Sequence, residues 1–218
     1  MKLIWSPETA TKAYIDTVRS CQVFNESGVA ELVSAMAAGW NAKLIVETWS
    51  QGGAIATSIG LEIASRHTCG RHVCVVADEN ARSEFITAMK EAADMNPEVL
   101  VGEPEEVMSE LAGIDFMVVD CKRKDYARVL RQARLNQSGA VLVCKNANSK
   151  SDSSFRWRSV IDSGSRKVVR TVFLPVGKGL DMAHVSCSGG NSGSSKVEKK
   201  RWIKHFDQRS GEEHVIRK

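Results

Sequence analysis

Apolar positions recur along this chain with two alternating periods. From residue 42 onward, short continuous apolar runs trade places with stretches in which apolar residues return every three or four positions. The short runs predict strands buried on both faces, and the longer spacing predicts amphipathic helices. Strands are expected at 42–47, 72–77, 99–101, 116–119 and 140–144. Helices are expected from the turn at 52–53 to about residue 66, then over 81–93, 105–111 and 126–135. Strands separated by helices imply right-handed crossovers and a mostly parallel sheet. The rhythm then changes. A polar loop at 149–154 and a short helix over 155–163 precede two strand-like runs, 168–174 and 182–187. No helix fits between those runs, so they are expected to pair antiparallel.

Ahead of the first strand, residues 1–41 read as helical. Ser6 is a suitable cap with Pro7 at the first helical position. Ala10, Ala13, Tyr14, Thr17 and Val18 mark one face, and Val29, Leu32, Val33, Met36 and Ala37 mark a second stripe that Gly39 stops. The break between them is Asn25 to Gly28. Beyond the last strand, 188–195 is Ser/Gly-rich and reads as a flexible linker. Residues 196–218 are charged, with Trp202, Ile203 and Phe206 as their large apolar group, and are expected to be disordered or a loose helix. The division is therefore helices over 1–41 that pack on the domain, an α/β domain over 42–187, and a flexible basic tail over 188–218.

Composition narrows this picture. A chain of 218 residues suits one domain with an appendage, and its 43% apolar content is ordinary for a globular protein. No apolar run is long enough to span a membrane, and MKLIWSPETATK lacks the apolar core of a signal peptide. The six cysteines form no C-x-x-C pair, and several fall inside expected strands, as reduced packing residues of a cytosolic or nuclear protein would. Residues 188–218 hold eight Lys/Arg and four Asp/Glu, so the net +4 belongs to the tail and the body is balanced. A balanced body argues against a broad nucleic-acid face, leaving the basic tail as the one candidate for such contact, with a solvated tail the plainer alternative. Among the expected assemblies is a homodimer.

Candidate chemistry gathers at the strand ends. The stretch 43–61 reads strand, glycine turn, helix, with Glu47 closing the strand and Gly52 and Gly53 in the turn. Two such glycines also serve a plain tight turn. Glu47, Asp78 and Asp120 each end a parallel strand, and such ends converge on one ligand crevice. A carboxylate after the second strand is placed to accept hydrogen bonds from the two hydroxyls of a ribose. The plainer alternative is that acids after strands cap helices or face water.

Six stretches, taken in order, resemble class I S-adenosylmethionine-dependent methyltransferases, and the caffeoyl-coenzyme A O-methyltransferases in particular. They are VETWSQGG, VVADENARS, LVGEPEEVMSEL, FMVVDCKRKDY, VLVCKNAN and LPVGKGLDMAHVS. The chain also resembles a plant family of uncharacterised methyltransferase-like proteins. The resemblance implies a three-layer Rossmann-like fold, with a mostly parallel seven-stranded sheet ending in an antiparallel strand pair. It implies S-adenosylmethionine as cofactor, with Glu47, Trp49, Gly52, Gly53, Asp78, Gly102, Glu103, Pro104 and Asp120 on the cofactor side. Asp120, Lys145 and Asn146 would face the acceptor as the catalytic set. Two departures bear on this. Trp49 replaces a glycine that lets backbone approach the cofactor. Lys145 replaces an aspartate of the family's divalent-cation site, and an ammonium repels a cation, so no metal is expected. Lys145 would then polarise an acceptor hydroxyl itself, or serve only as a structural ion pair with Asp120. The function read from this is metal-independent O-methyl transfer to a small molecule. The alternative is a catalytically inactive protein of the same fold that binds a nucleoside ligand or a protein partner. A nicotinamide-dependent reductase fits less well, because G-x-G-x-x-G is missing and the sheet ends antiparallel.

Overall fold

The structure, a computed structural model, describes residues 5–22, 28–149, 154–187, 202–206 and 213–217. Two helices lead, α1 (Pro7–Ser20) and α2 (Val29–Gly39). Next come β1 (Leu44–Thr48), α3 (Ala56–Thr68), β2 (Arg71–Val76), α4 (Glu79–Ala93), β3 (Glu98–Val101) and α5 (Pro104–Glu110). The chain continues through β4 (Phe116–Asp120), α6 (Tyr126–Gln132), β5 (Ala140–Lys145), α7 (Trp157–Ile161), β6 (Arg166–Leu174) and β7 (Leu180–Cys187). A small side pair, Ala112–Ile114 with Arg134–Leu135, flanks β4 and ends the fourth domain helix before residue 135.

The seven strands form one sheet in the order β3-β2-β1-β4-β5-β7-β6. β1 to β5 run parallel, and β7 is antiparallel to both β5 and β6. Alternate residues of each central strand feed two separate cores, as a period of two requires. Ile45, Cys74, Val76, Phe116 and Val118 face α2, α3 and α4 with Val33, Ile59, Phe85 and Met89. Val46, Val73, Val75, Met117 and Val119 face α5, α6 and α7 with Met108, Leu130, Trp157 and Ile161. This is a three-layer α/β sandwich of the Rossmann-like methyltransferase type, as the sequence predicts.

The N-terminal helices complete one layer. Ser6 caps α1 by accepting from the Thr9 backbone N–H. The buried stripe of α1 is Ala10, Ala13 and Thr17, while Tyr14 and Val18 are 47% and 39% exposed. The helix rests on α2 and α3 through a narrow seam of small residues, so the outer two of the five expected positions stay in solvent. Thr17 Oγ1 donates to Ser34 Oγ at 2.8 Å inside that seam. Gly60 lets α2 and α3 meet closely, since a Cβ there would lie 2.6 Å from the Ala30 carbonyl oxygen.

The tail departs from expectation. Instead of a loose helix, Trp202–Phe206 (β8) and Glu213–Arg217 (β9) pair antiparallel. The expected linker at 188–195, the first four residues and most of the break before Gly28 lie outside the described residues. Four of the six cysteines are buried. Among the described residues no helix is long and apolar enough to cross a membrane.

Candidate functional site

The sheet order reverses between β1 and β4, because the chain leaves β1 toward β2 and later resumes on the other side. Loops after β1 and β4 must therefore diverge, and a crevice opens at the carboxyl ends of the two strands. A cavity of about 820 Å³ lies there. Its walls are the loop after β1, Thr57 in the first turn of α3, Asp120, Lys122, Arg123, Lys145 and Asn146, and the turn between β6 and β7.

Asp120 closes β4, and both its oxygens are engaged: Oδ1 accepts from the Lys122 backbone N–H at 2.9 Å and Oδ2 from Asn146 Nδ2 at 2.8 Å. Asn146 holds its position through a left-handed backbone, φ 59°. Lys145, the last residue of β5, is only 8% exposed, yet it lines the cavity. Its side chain makes no hydrogen bond among the described residues.

The loop after β1 is clamped from two sides. Ser50 Oγ accepts from Arg123 Nη1 at 2.9 Å, and the Gly52 N–H donates to Glu84 Oε1 of α4, also at 2.9 Å. Between these clamps Trp49 is 2% exposed, its ring centroid 5.3 Å from that of Phe85 on α4. A Cβ on Gly53 would lie 2.9 Å from Trp49 Nε1, so indole and glycine turn are in contact. Gly52, at φ +70°, has open space beside it.

Of the sequence-predicted residues, Trp49, Gly52, Gly53, Asp120, Lys145 and Asn146 line this one cavity. Glu47, Asp78, Gly102, Glu103 and Pro104 do not. Asp78 is exposed and caps α4, its Oδ1 accepting from the Ala81 N–H at 2.8 Å. Gly102 donates its N–H to the Val76 carbonyl, extending the β2–β3 ladder. Glu103 is exposed, and Pro104 is buried at the start of α5. The picture of three strand-end acids opening on one crevice therefore reduces, at the cavity wall, to Asp120.

Glu47 lies fully buried beneath the cavity and belongs to a charge cluster that the sequence did not reveal. Its Oε1 accepts from His72 Nε2 at 3.1 Å, and His72 Nδ1 donates to Glu62 Oε2 of α3 at 3.2 Å. His72 is fully enclosed between two carboxylates. Burial pushes its imidazole down, but the hydrogen bonds it donates to Glu47 and Glu62 overcome this and raise it to about 9. Burial likewise pushes the Glu47 and Glu62 carboxyls up, and the bond to His72 outweighs it, leaving both below their ordinary range. The unfolded chain releases the His72 proton near 6.5 and the folded chain near 9, so stability should fall as pH rises across that interval. The two glutamates act in the opposite sense: their contribution is present above the ordinary value of 4.5 and should be lost as pH falls below it toward their lowered folded range. Urea unfolding between these limits checks the sign: the midpoint should decline from pH 6.5 to 9, and decline less in His72→Gln.

His67 and His184 are held by other contacts. His67 Nε2 pairs with Asp16 of α1 at 2.8 Å, and His184 packs edge-on against Trp40. Sequence reasoning also missed the basic rim of Lys122, Arg123 and Lys178. The first two sit in the quoted stretch after β4, and only the sheet order brings the turn carrying Lys178 beside them.

Solved structures to which the chain is similar include methyltransferases. One from Geobacter sulfurreducens has a TM-score of 0.57 at 19% identity, covering 80% of this chain and 88% of its own. The SAH-bound Podospora anserina methyltransferase PaMTH1 gives 0.55 at 13% identity, covering 85% and 90%. A caffeoyl-CoA O-methyltransferase-like protein from Staphylococcus aureus gives 0.54 at 15% identity, covering 78% and 91%. The resemblance drawn from the sequence thus holds at the level of fold. No curated protein matches the chain by sequence. Over residues 1–218 it matches the family described as "Protein of unknown function (DUF1442)", and the chain belongs to that family.

Proposed function

We propose that this is a methyltransferase-fold protein that binds a small molecule in the β1–β4 cavity, without methyl transfer by the route of its structural neighbours. The observation that carries this reading is the buried Trp49 indole, which lies against Gly53 of the turn and packs on Phe85. A cofactor of the S-adenosylmethionine type needs backbone approach at that turn and a ribose beside the acid after β2. Here an indole lies against Gly53 of the turn, and Asp78 is an exposed helix cap that does not line the cavity. The cofactor therefore does not fit the loop as it stands. A divalent cation fits no better. Residue 145 contributes an ammonium where the resemblance implies a carboxylate, and both Asp120 oxygens already accept hydrogen bonds.

A second reading, metal-independent O-methyl transfer, is favoured by one arrangement. Asp120, Lys145 and Asn146 share the cavity wall, and the second oxygen of Asp78 makes no hydrogen bond among the described residues. In that reading Lys145 would polarise the acceptor oxygen, and positioning would supply the rest of the rate.

Incubation with methyl-labelled S-adenosylmethionine and a panel of phenolic and carboxylate acceptors separates the two. The first reading expects no transferred label, with or without magnesium. Magnesium-independent transfer that Lys145→Met abolishes would establish the second. A magnesium requirement would overturn both, by seating a cation beside Lys145.

A further inference from the structure

We infer that the cavity is an anion site whose ligand is a small phosphorylated molecule, held by Lys145 with Lys122 and Lys178. This names the ligand class of the same cavity and rests on the reading that the cavity binds a small molecule, not on the absence of methyl transfer. Four basic side chains line the cavity against a single acid, Asp120. That acid is already satisfied, since both of its oxygens accept protein hydrogen bonds. Arg123 is neutralised by Asp125, with Nε and Nη2 on its two oxygens. Three ammonium groups are left, and none of them makes a hydrogen bond among the described residues.

Lys145 is the most informative of the three. An ammonium is costly to bury unless something compensates it. More than nine-tenths of this residue is buried at the cavity wall. Glu47 lies near enough beneath to attract it through space, but neither Glu47 oxygen hydrogen-bonds the ammonium: Oε1 serves His72 and Oε2 has no partner. The open side of Lys145 therefore faces the cavity, where a ligand oxyanion would complete it.

The first turn of α3 adds to the same field. This helix has 13 residues, its N-cap Ile55 supplies no side-chain acceptor, and no acid lies in its first turn. Its leading N–H groups are thus uncapped by side chains at the cavity wall, where they favour negative charge. Lys122, Lys145 and Lys178 against Asp120 and the one net negative charge of the Glu47–His72–Glu62 cluster still leave a positive charge in excess, and the helix N-terminus adds to it. These groups suit a phosphate, with its near-double charge and three acceptor oxygens.

The test uses the full chain, titrated calorimetrically with inorganic pyrophosphate at low ionic strength, with acetate as the singly charged control. Saturable one-to-one binding of pyrophosphate, and none of acetate, is expected. Lys145→Met should weaken it by about tenfold or more, as loss of a hydrogen bond to a charged group does. The double variant Lys122→Ala/Lys178→Ala changes only exposed side chains, keeps the fold testable, and should weaken binding by a similar factor. The inference is overturned if the natural chain does not bind, if acetate binds equally, or if a folded Lys145→Met retains full affinity. It is equally overturned if the double variant binds like the natural chain. The probe carries no nucleoside, so its result is separable from any result with S-adenosylmethionine.

Discussion

Replacing His72 with alanine should destabilise the protein by about 3–5 kcal/mol, the usual cost of stranding a buried charge by removing its partner. For a domain of this size that lowers the thermal midpoint by roughly 2–4 °C per kcal/mol. The prediction follows from geometry. His72 and Glu47 are completely enclosed, and Glu62 is 14% exposed, so water cannot replace the lost imidazolium. Glu47 already has one oxygen without a hydrogen-bond partner, and the substitution would leave both that way. The residue must then take up a proton or drag water into the core. His72→Gln should recover part of the loss, since an amide reaches one carboxylate but carries no charge. Thermal unfolding of the three proteins at neutral pH measures this, and a His72→Ala midpoint within 2 °C of the natural chain, roughly the effect of 1 kcal/mol or less, would contradict the assignment.

Trp49→Gly should produce two effects of opposite sign. Truncating a buried aromatic costs about 3–5 kcal/mol, because the surrounding side chains collapse only in part. Phe85 loses its edge contact, and Gly53 loses the indole against which it rests. The same change empties the glycine turn, so the variant should acquire S-adenosylhomocysteine binding. Ligand at a hundredfold excess over Kd would then restore about 2.7 kcal/mol of the lost stability. A scan with and without the nucleoside reads both effects at once. If the variant is destabilised but the nucleoside does not raise its midpoint, the indole is a packing residue and not the block.

The sheet was legible for a simple reason. Strands buried on both faces appear as unbroken apolar runs, and β2 and β5 read as VCVV and AVLVC. The antiparallel ending was legible because seven residues between two apolar runs cannot hold a crossover helix. The tail hairpin was not, because WIKHF and EHVIR mix their apolar residues with charges and lie beside a Ser/Gly-rich stretch. On α1 the periodicity overstated the buried stripe. Spacing marks a face, but the neighbour's size sets how wide a strip of it is covered, and α1 contacts only a narrow seam.

At the site, Asp120, Lys145 and Asn146 were readable as strand ends, and adjacent parallel strands bring such ends together. The charge cluster was hidden because each member is a lone polar residue in a different element. Register supplies the missing link: Ile45 pairs with His72, which puts Glu47, two residues on, on the same face under α3. Parity along both strands would have shown a shared face, but not that Glu62 closes the cluster from above.

The central claim is that the sequence keeps the methyltransferase architecture while an indole closes its cofactor turn. Calorimetric titration of the unmodified chain with S-adenosylhomocysteine tests it most directly. The account predicts no saturable heat at millimolar ligand. Tight binding that Asp78→Ala abolishes would contradict it, because the nucleoside would then be seated with Trp49 in place.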